Sequence, residues 1–190
     1  PIIISGGGVF YSDAMDELGS FVIKHNIPVT QTVMGYSTMK RDHSHFLGPI
    51  GGLGGRAANN LAKETDLAIC VGTKLADFTT GSWANFENPE FKLVSINIAR
   101  HDANKHLAEA VIGDAKVCLS ELSNSLGNWK SPDSWHKKSQ DELKSWNEYV
   151  DKESGPTNQE TPNYAHAVGA IYRNSDPTDI AVTAAGGLVG

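Results

Sequence analysis

The residues best suited to chemistry form a glycine-rich loop, after which a helix is predicted over 56–63. Five glycines lie close together there: Gly48, Gly51, Gly52, Gly54 and Gly55. Glycines at a helix start let backbone N–H groups approach a phosphate closely, and the helix dipole favours an anion. The spacing Gly52-x-Gly54-x-x-Ala57 fits a loose dinucleotide-binding pattern. No strand is predicted directly before the loop, as that pattern requires, so the glycines alone indicate a nucleotide site weakly.

A second glycine run, Gly6 to Gly8, follows the apolar residues 2–5 and precedes a predicted helix. Such a turn could cradle a phosphate. However, no acidic residue follows at the distance expected of a ribose partner. We therefore interpret this run as a tight strand-to-helix turn.

Histidines and cysteines are the other candidate ligands. His43 and His45 are two apart in a predicted loop, and His101 and His106 are five apart near a helix start. Both spacings are poor metal geometry, so we interpret these side chains as solvated or locally hydrogen-bonded and predict no metal site. The two cysteines, Cys70 and Cys118, lie in apolar stretches without a CxxC motif, which predicts buried, reduced thiols.

The elements that must position these residues alternate between strand and helix. Apolar runs predict strands over 2–5, 29–32, 67–71, 92–98 and 111–113. One helix is predicted from Ser12, as its cap, to about His25, with Asn26 ending it; Asp114 is predicted to cap another over 115–126. Residues 33–47 are predicted to be loop. This order predicts an α/β fold with a doubly wound, mainly parallel, Rossmann-like sheet over 1–126.

Composition changes at Gly127. Residues 128–162 contain few aliphatic side chains but three of the four tryptophans, Trp129, Trp135 and Trp146. Because Trp135 and Trp146 share a helical face, we expect a linker helix that partly buries both rings. Beyond it, 163–173 is predicted to be helix and 179–184 strand. We thus predict a central domain over 1–127, a linker over 128–162 and the start of another domain over 163–190.

The overall composition narrows the class of protein. The chain has 190 residues, 39% of them hydrophobic, and a net charge of −6, so we expect no nucleic-acid partner. No apolar run is long enough to cross a bilayer, and no signal peptide is visible, so we expect no membrane partner and a cytoplasmic location. The sequence starts directly in a strand at Pro1 and stops in a glycine turn at Gly190, which favours a piece of a longer protein.

Nearly the whole chain resembles the central domain of the thiamine-diphosphate enzymes related to acetolactate synthase. The matching stretches are 1–8 (PIIISGGG), 27–32 (IPVTQT), 66–73 (DLAICVGT), 95–98 (SINI) and 112–115 (IGDA). Three others resemble one subfamily, the trihydroxycyclohexane-dione hydrolases of myo-inositol breakdown: 77–82 (DFTTGS), 101–106 (HDANKH) and 183–187 (TAAGG).

The resemblance implies an enzyme that uses thiamine diphosphate and Mg²⁺ and acts on a small molecule as a homo-oligomer. In the hydrolases it resembles, a C–C bond of the cyclic dione breaks and 5-deoxy-glucuronate is released. The family's activating glutamate and its metal-binding motif lie outside these 190 residues. It follows that no catalytic residue is expected within the chain. Of its residues, Ala185, Gly186 and Gly187 are expected to lie near the thiamine cofactor.

Some members of the family bind a flavin in this domain. Gly51, Gly52 and Gly54 fall where those members approach the flavin, and Lys74 and Asp77 fall within their flavin-contacting motif. At the end of the strand over 92–98, however, Asn97 and Ala99 stand where a carboxylate is expected. We therefore interpret this region as a vestigial flavin site and expect that FAD does not bind tightly.

Two alternatives remain at this point. One is a related thiamine enzyme with another substrate: an acetolactate-synthase-like ligase, or a decarboxylase of an oxo-acid or of malonic semialdehyde. The other is a nucleotide-binding module that only scaffolds.

Overall fold

The computed structural model describes residues 1–176 and 178–182. The chain divides into two compact units, with the division between Leu143 and Lys144. The first unit contains a single sheet and its covering helices, and the second contains the end of one helix and one further helix.

A six-stranded sheet organises the first unit, and every neighbouring pair of strands is parallel. Its strands are Ile2–Ser5 (β1), Val29–Gln31 (β2), Phe46–Pro49 (β3), Leu67–Val71 (β4), Lys92–Asn97 (β5) and Glu109–Ile112 (β6). Their order across the sheet is β3-β2-β1-β4-β5-β6. This is the strand order of dinucleotide-binding folds, and it confirms the predicted doubly wound parallel sheet.

Eight α-helices lie in the described residues. They are Gly7–Tyr11 (α1), Met15–His25 (α2), Arg56–Glu64 (α3), Asp77–Thr80 (α4), Arg100–Ala103 (α5), Ala115–Leu126 (α6), Asp133–Glu153 (α7) and Tyr164–Asn174 (α8). Short 3-10 turns occur at Val33–Gly35 and Lys105–Leu107. No helix in the described part of the chain is both long enough and apolar enough to span a bilayer.

The strands bury side chains on both faces, as a doubly covered parallel sheet requires. On one face, Ile3 and Ile69 pack with Phe21 of α2 and Leu119 of α6. On the other face, residues such as Ile4 and Cys70 pack with Leu61 of α3. Each fully buried aliphatic side chain contributes roughly 1.5–3 kcal/mol, so these two layers are the main source of the unit's stability.

Two helix ends set by local chemistry lie where they were predicted. Asn26 ends α2 in a left-handed conformation, φ 54° and ψ 42°, which asparagine tolerates better than most residues. Asp114 caps α6, since its carboxylate accepts the N–H groups of Lys116 and Val117 at 3.0 and 3.2 Å. Asn163 was predicted to be the first helical residue; it is instead the cap of α8 and forms a reciprocal capping box with His166.

Two local predictions were wrong. The helix predicted from Ser12 is two helices, because Asp13 takes a left-handed conformation (φ 50°) between α1 and α2. The Ser12 hydroxyl bonds the Asp114 carboxylate, and Ala14 occupies the N-cap position of α2. The predicted loop over 33–47 also ends in strand β3, which leads directly into the glycine-rich loop. Of the strand predicted over 179–184, residues 179–182 are not in a strand, and 183 and 184 lie outside the described residues.

The linker segment is dominated by α7. Trp135, in its first turn, is half-buried against the α3 side of the core, and its indole N–H donates to the Pro1 carbonyl at 2.7 Å. Trp146 lies in the second unit, also half-buried, with its ring stacked on Tyr149 at a centroid distance of 5.6 Å. Trp135 is partly buried against the sheet unit, as predicted. The predicted packing of Trp146 against the sheet domain or a second copy, and the three predicted domain boundaries, stay predictions.

Candidate functional site

The site begins where the chain changes direction across the sheet. Strand β1 lies between β2 and β4, so the loops after β1 and β4 leave the sheet in opposite directions and open a crevice. The two loops touch through glycine. The Gly8 N–H donates to the Gly72 carbonyl at 2.9 Å, and a Cβ on Gly6 would lie 2.4 Å from that same oxygen. Larger residues there would force the two strand ends apart.

A cleft of about 630 Å³ lies at this point, at the carboxyl ends of the strands. Its apolar lining includes Tyr11, Met34, Phe78 and Ile98, all exposed. Its polar lining includes Lys74, Asn97, Asp102 and Asp114. Ligands in open α/β sheets bind in this position, so the cleft is the candidate site of the described structure.

Three of these polar side chains are engaged with the protein itself. Asp102 pairs with Lys105 at 2.7 Å. Asn97 donates to the Thr73 carbonyl at 3.2 Å and accepts the Ala99 N–H at 2.9 Å. The Ser12 hydroxyl, followed by the Val117 amide, lowers the pKa of Asp114, so this carboxylate is an ionised helix cap.

The glycine-rich loop does not present its N–H groups to the cleft. The Gly51 N–H donates to Asn59 Oδ1 at 2.9 Å, and the Gly52 N–H donates to the Phe78 carbonyl at 2.7 Å. The Gly54 and Gly55 N–H groups donate to carbonyls within the loop and at the end of β3. These amides are therefore used to fold the loop, and none of the four serves as a phosphate donor.

Sequence-predicted residues of the flavin region are brought partly together. Gly51 and Gly52 lie against Phe78, next to Asp77 at the start of α4, and Lys74 lines the cleft. The described lining of the cleft does not include Gly51, Gly52 or Gly54. In the turn after β1, the Gly6 and Gly8 N–H groups likewise donate to the carbonyls of Val71 and Gly72. These amides are therefore used within the fold, and the weak binding expected for FAD stays a prediction.

The predicted histidine pairs differ in their surroundings. His45 is buried and bonds Asn26 and Ser44, as the interpretation of local hydrogen bonding expected. His106 takes a left-handed conformation and contacts Trp83 edge-to-face at 4.4 Å. Within residues 1–176 and 178–182, no group of three His, Cys, Asp or Glu side chains could hold a metal ion.

Both cysteines are free thiols. Burial raises the pKa of the Cys70 thiol, which is fully enclosed in β4. Burial, and then the negative charge of Asp114, raise the pKa of Cys118. Neither is a thiolate near neutral pH, so neither is an activated nucleophile.

Two hydrogen-bonded polar sites were missed by sequence reasoning, one around the half-buried Asn59 and one around the buried His25. Asn59 bonds both the N–H and the carbonyl of Gly51, and Asn85 donates to Asn59 Oδ1 at 3.1 Å. His25, fully buried in α2, contacts the Trp129 carbonyl through Nδ1 at 2.7 Å. A polar residue on the apolar face of a predicted helix was the only available signal for either.

The residues expected near the thiamine cofactor, Ala185, Gly186 and Gly187, lie outside the described residues. Their placement stays a prediction.

The fold and cleft define a Rossmann-like α/β domain with a candidate ligand site at the carboxyl ends of its parallel strands. Comparison with known proteins identifies the family of this domain. The chain belongs to the thiamine pyrophosphate enzymes: residues 1–122 match the family described as thiamine pyrophosphate enzyme, central domain.

Curated relatives share one name. The chain is 48% identical over 126 residues to a 3D-(3,5/4)-trihydroxycyclohexane-1,2-dione hydrolase of Clostridium perfringens, an alignment covering 66% of this chain and 20% of the relative. It is 41% identical over 152 residues to a protein of that name from Clostridium botulinum, covering 80% of this chain and 24% of the relative. A Bacillus cereus relative is 44% identical over 126 residues, covering 66% and 20%. The matched part thus spans about a fifth to a quarter of these relatives' length.

Proposed function

We propose that this chain is the central domain of a thiamine-diphosphate-dependent hydrolase that opens 3D-(3,5/4)-trihydroxycyclohexane-1,2-dione. In the proposed reaction, a C–C bond of the cyclic dione breaks, one water is added, and the open-chain acid 5-deoxy-glucuronate is formed. The observation that carries this proposal is the 48% identity to a hydrolase of that name. The match to the central domain of the family supports thiamine diphosphate as cofactor, and we propose Mg²⁺ as its metal.

Within that enzyme we propose a structural role for these residues. Carbanion chemistry on a thiamine cofactor requires a carboxylate to activate the cofactor and a metal site to hold its diphosphate. In the described residues the cleft carboxylates cap a helix or pair with lysine. The acid–base groups would therefore come from elsewhere in the enzyme, and this unit would hold the neighbouring parts in place.

The test uses the full-length protein that contains this chain, purified with thiamine diphosphate and Mg²⁺. We expect it to convert the cyclic dione to a product heavier by one water, followed by mass spectrometry. We expect slower turnover of pyruvate and of malonic semialdehyde, the substrates of the ligase and decarboxylase alternatives. Preferential release of CO₂ from either oxo-acid would overturn the proposal in favour of that alternative.

The remaining alternative, a nucleotide-binding scaffold, is tested by thermal shift of the same protein with ADP, NAD and FAD. The engaged amides of the glycine-rich loop lead us to expect no shift with any of them. We further propose that the enzyme is a homo-oligomer, which sedimentation of the full-length protein would check.

A further inference from the structure

Three histidine rings meet where α7 begins. His43 and His45 precede strand β3, and His136 is in the first turn of α7. The rings of His45 and His136 are stacked, with centroids 4.2 Å apart, and the His43 ring lies 5.7 Å from that of His45. We call these three residues the imidazole cluster. The cleft described above does not include any of them.

Hydrogen bonds fix which nitrogen carries the proton when the His45 ring is neutral. The Asn26 amide nitrogen donates to the Ser131 carbonyl and to the Asp133 carboxylate, so its oxygen must accept. His45 Nε2 therefore carries the proton that it donates to Asn26 Oδ1 at 3.2 Å. His45 Nδ1 is then left to accept from the Ser44 hydroxyl at 3.0 Å. A proton on Nδ1 would charge a ring that is 7% exposed.

The surroundings of the cluster do not compensate such a charge. Burial, then the neighbouring rings of His136 and His43, lower the pKa of His45 to about 4. Burial also lowers the pKa of His43, and Asp42 opposes this. His136 Nδ1 is buried without a hydrogen-bond partner. Asp133, the nearest acid on α7, is engaged by Asn26.

Other titratable groups on the adjoining elements are directed elsewhere. Lys24 of α2 bonds Ser123, and Lys138 of α7 pairs with Glu64. The buried His25 bonds Trp129 and Ser123. The remaining cations are exposed: Lys40, Arg41 and Lys137.

The cluster lies among the bonds that hold the start of α7 to the sheet. The Ser131 N–H donates to the His25 carbonyl at 2.8 Å, and the Gln140 amide donates to the Ser44 carbonyl. On the sheet side, the His45 carbonyl accepts the Val29 N–H of β2 at 2.8 Å. His45 therefore has a fixed backbone on one side and the stacked ring of α7 on the other.

We propose that the imidazole cluster attaches the first turns of α7 to the sheet only while its rings are neutral, so that this attachment is a pH-sensitive latch. The inference is independent of the proposed catalytic function. Neutral rings stack, and a neutral His45 keeps its hydrogen bonds to Asn26 and Ser44, whereas charged rings repel across 4.2 Å and must reach water. The start of α7 is the part that can separate, because the backbone of His45 is hydrogen-bonded to strand β2.

The direction in which pH changes the attachment of α7 follows from the lowered pKa of His45. The attached state binds fewer protons than the separated state between about pH 4 and about pH 6.5. Attachment is therefore complete above about pH 6.5 and weakens as the pH falls toward 4. For one proton with these two pKa values, separation becomes roughly 20-fold more favourable between pH 7 and pH 5.

Hydrogen exchange read by mass spectrometry tests this on the 190-residue chain. Amide protection in 133–143, corrected for the intrinsic effect of pH, is expected to fall roughly 20-fold from pH 7 to pH 5. Protection in β4 is expected to stay constant. In His45→Gln the amide still donates to Asn26 but does not titrate, so the fall should shrink to less than about 3-fold. His101→Gln, at an exposed histidine outside the cluster, should keep the full response.

A second variant covers the case in which His45→Gln does not fold at pH 7. His45→Phe keeps an aromatic ring on His136 and does not titrate, so it should also flatten the response. Protection that is constant in the wild type, or that falls equally in the wild type and the folded cluster variants, would overturn the proposal. So would a His45 titration midpoint near 6.5 by NMR.

Discussion

Gly51 is a residue whose glycine identity the fold requires for reasons unrelated to a ligand. Its φ is +104°, and a Cβ would lie 1.9 Å from the Phe78 carbonyl oxygen. That oxygen also accepts the N–H of Gly52, so it cannot move without breaking the loop. A glycine pattern that suggests a phosphate site is here explained by the close approach of two backbone segments.

We predict that Gly51→Ala destabilises the first unit by at least about 2 kcal/mol, because it combines left-handed strain with a backbone clash. Gly19→Ala is the matched control. Gly19 lies inside α2, where an added Cβ would meet no atom within 4 Å, so this change should stabilise by about 0.5–1 kcal/mol. Urea unfolding followed by circular dichroism measures both. Equal stabilities of the two variants would refute the packing role of Gly51.

At the scale of elements, α7 is anchored to the sheet unit through its first turns. Its sequence is too polar to bury a continuous apolar face, and Trp135 and Leu143 supply its contact with the α3 side of the core. Bonds from Trp135 and Gln140 to backbone carbonyls fix its position along the surface. The attachment therefore rests on few side chains, and each should be measurable.

We predict that Trp135→Ala lowers the free energy of unfolding of the first unit by about 2 kcal/mol, less than for a fully buried ring. Trp135→Phe keeps most of the apolar contact and loses the bond to Pro1, so it should cost about 1 kcal/mol. Trp146→Ala serves as the comparison in the second unit. If the melting temperature is unchanged in all three variants, the segment is only a tether.

The glycine-rich loop supports a prediction about cofactor binding. Its amides are bonded to Asn59, Phe78 and the loop itself, and Asn97 replaces the expected carboxylate. We predict that the chain purifies without the visible absorption of flavin and does not quench added FAD fluorescence. A stoichiometric yellow protein would contradict this prediction, because the loop would then have to release its internal bonds.

A structural feature could be predicted from the sequence when the residues that cause it are neighbours along the chain. Asn26 and Asp114 were predicted as helix ends because their effect acts on neighbouring residues. Strand β3 was missed because it has only two buried apolar residues, Phe46 and Leu47, before Gly48 and Pro49. Ser12 was misplaced because its hydroxyl bonds Asp114, a contact that sequence periodicity does not contain.

The candidate site was less predictable than the fold for the same reason. The cleft forms where β1 and β4 end side by side, which requires the strand order. The engagement of the glycine amides depends on Phe78, which the chain brings back only after β4. A glycine pattern in the sequence shows which N–H donors are present but not which carbonyls accept their hydrogen bonds.

At the scale of the whole molecule, the proposed reaction centre would lie largely outside these residues. We predict that the 190-residue chain does not turn over the cyclic dione, pyruvate or malonic semialdehyde, even with saturating thiamine diphosphate and Mg²⁺. In the described part no group of three His, Cys, Asp or Glu side chains could hold a metal ion, and the cleft carboxylates are engaged. Ring opening faster than with cofactor alone, or micromolar cofactor binding by calorimetry, would mean that the centre lies within these residues.

The central place of β1 in the sheet has a consequence for how the domain folds. Ile3 pairs with Val29 on one side and with Ile69 on the other, so the chain must close a much longer loop for the second pairing. Loop closure costs more entropy as the loop lengthens, and distant contacts slow folding. We therefore expect the β1-β2-β3 half to assemble early and the β4-β5-β6 half to add to the exposed edge of β1. Until it does, that edge is an unpaired apolar strand, so slow synthesis or dilution of the folding chain should reduce its aggregation.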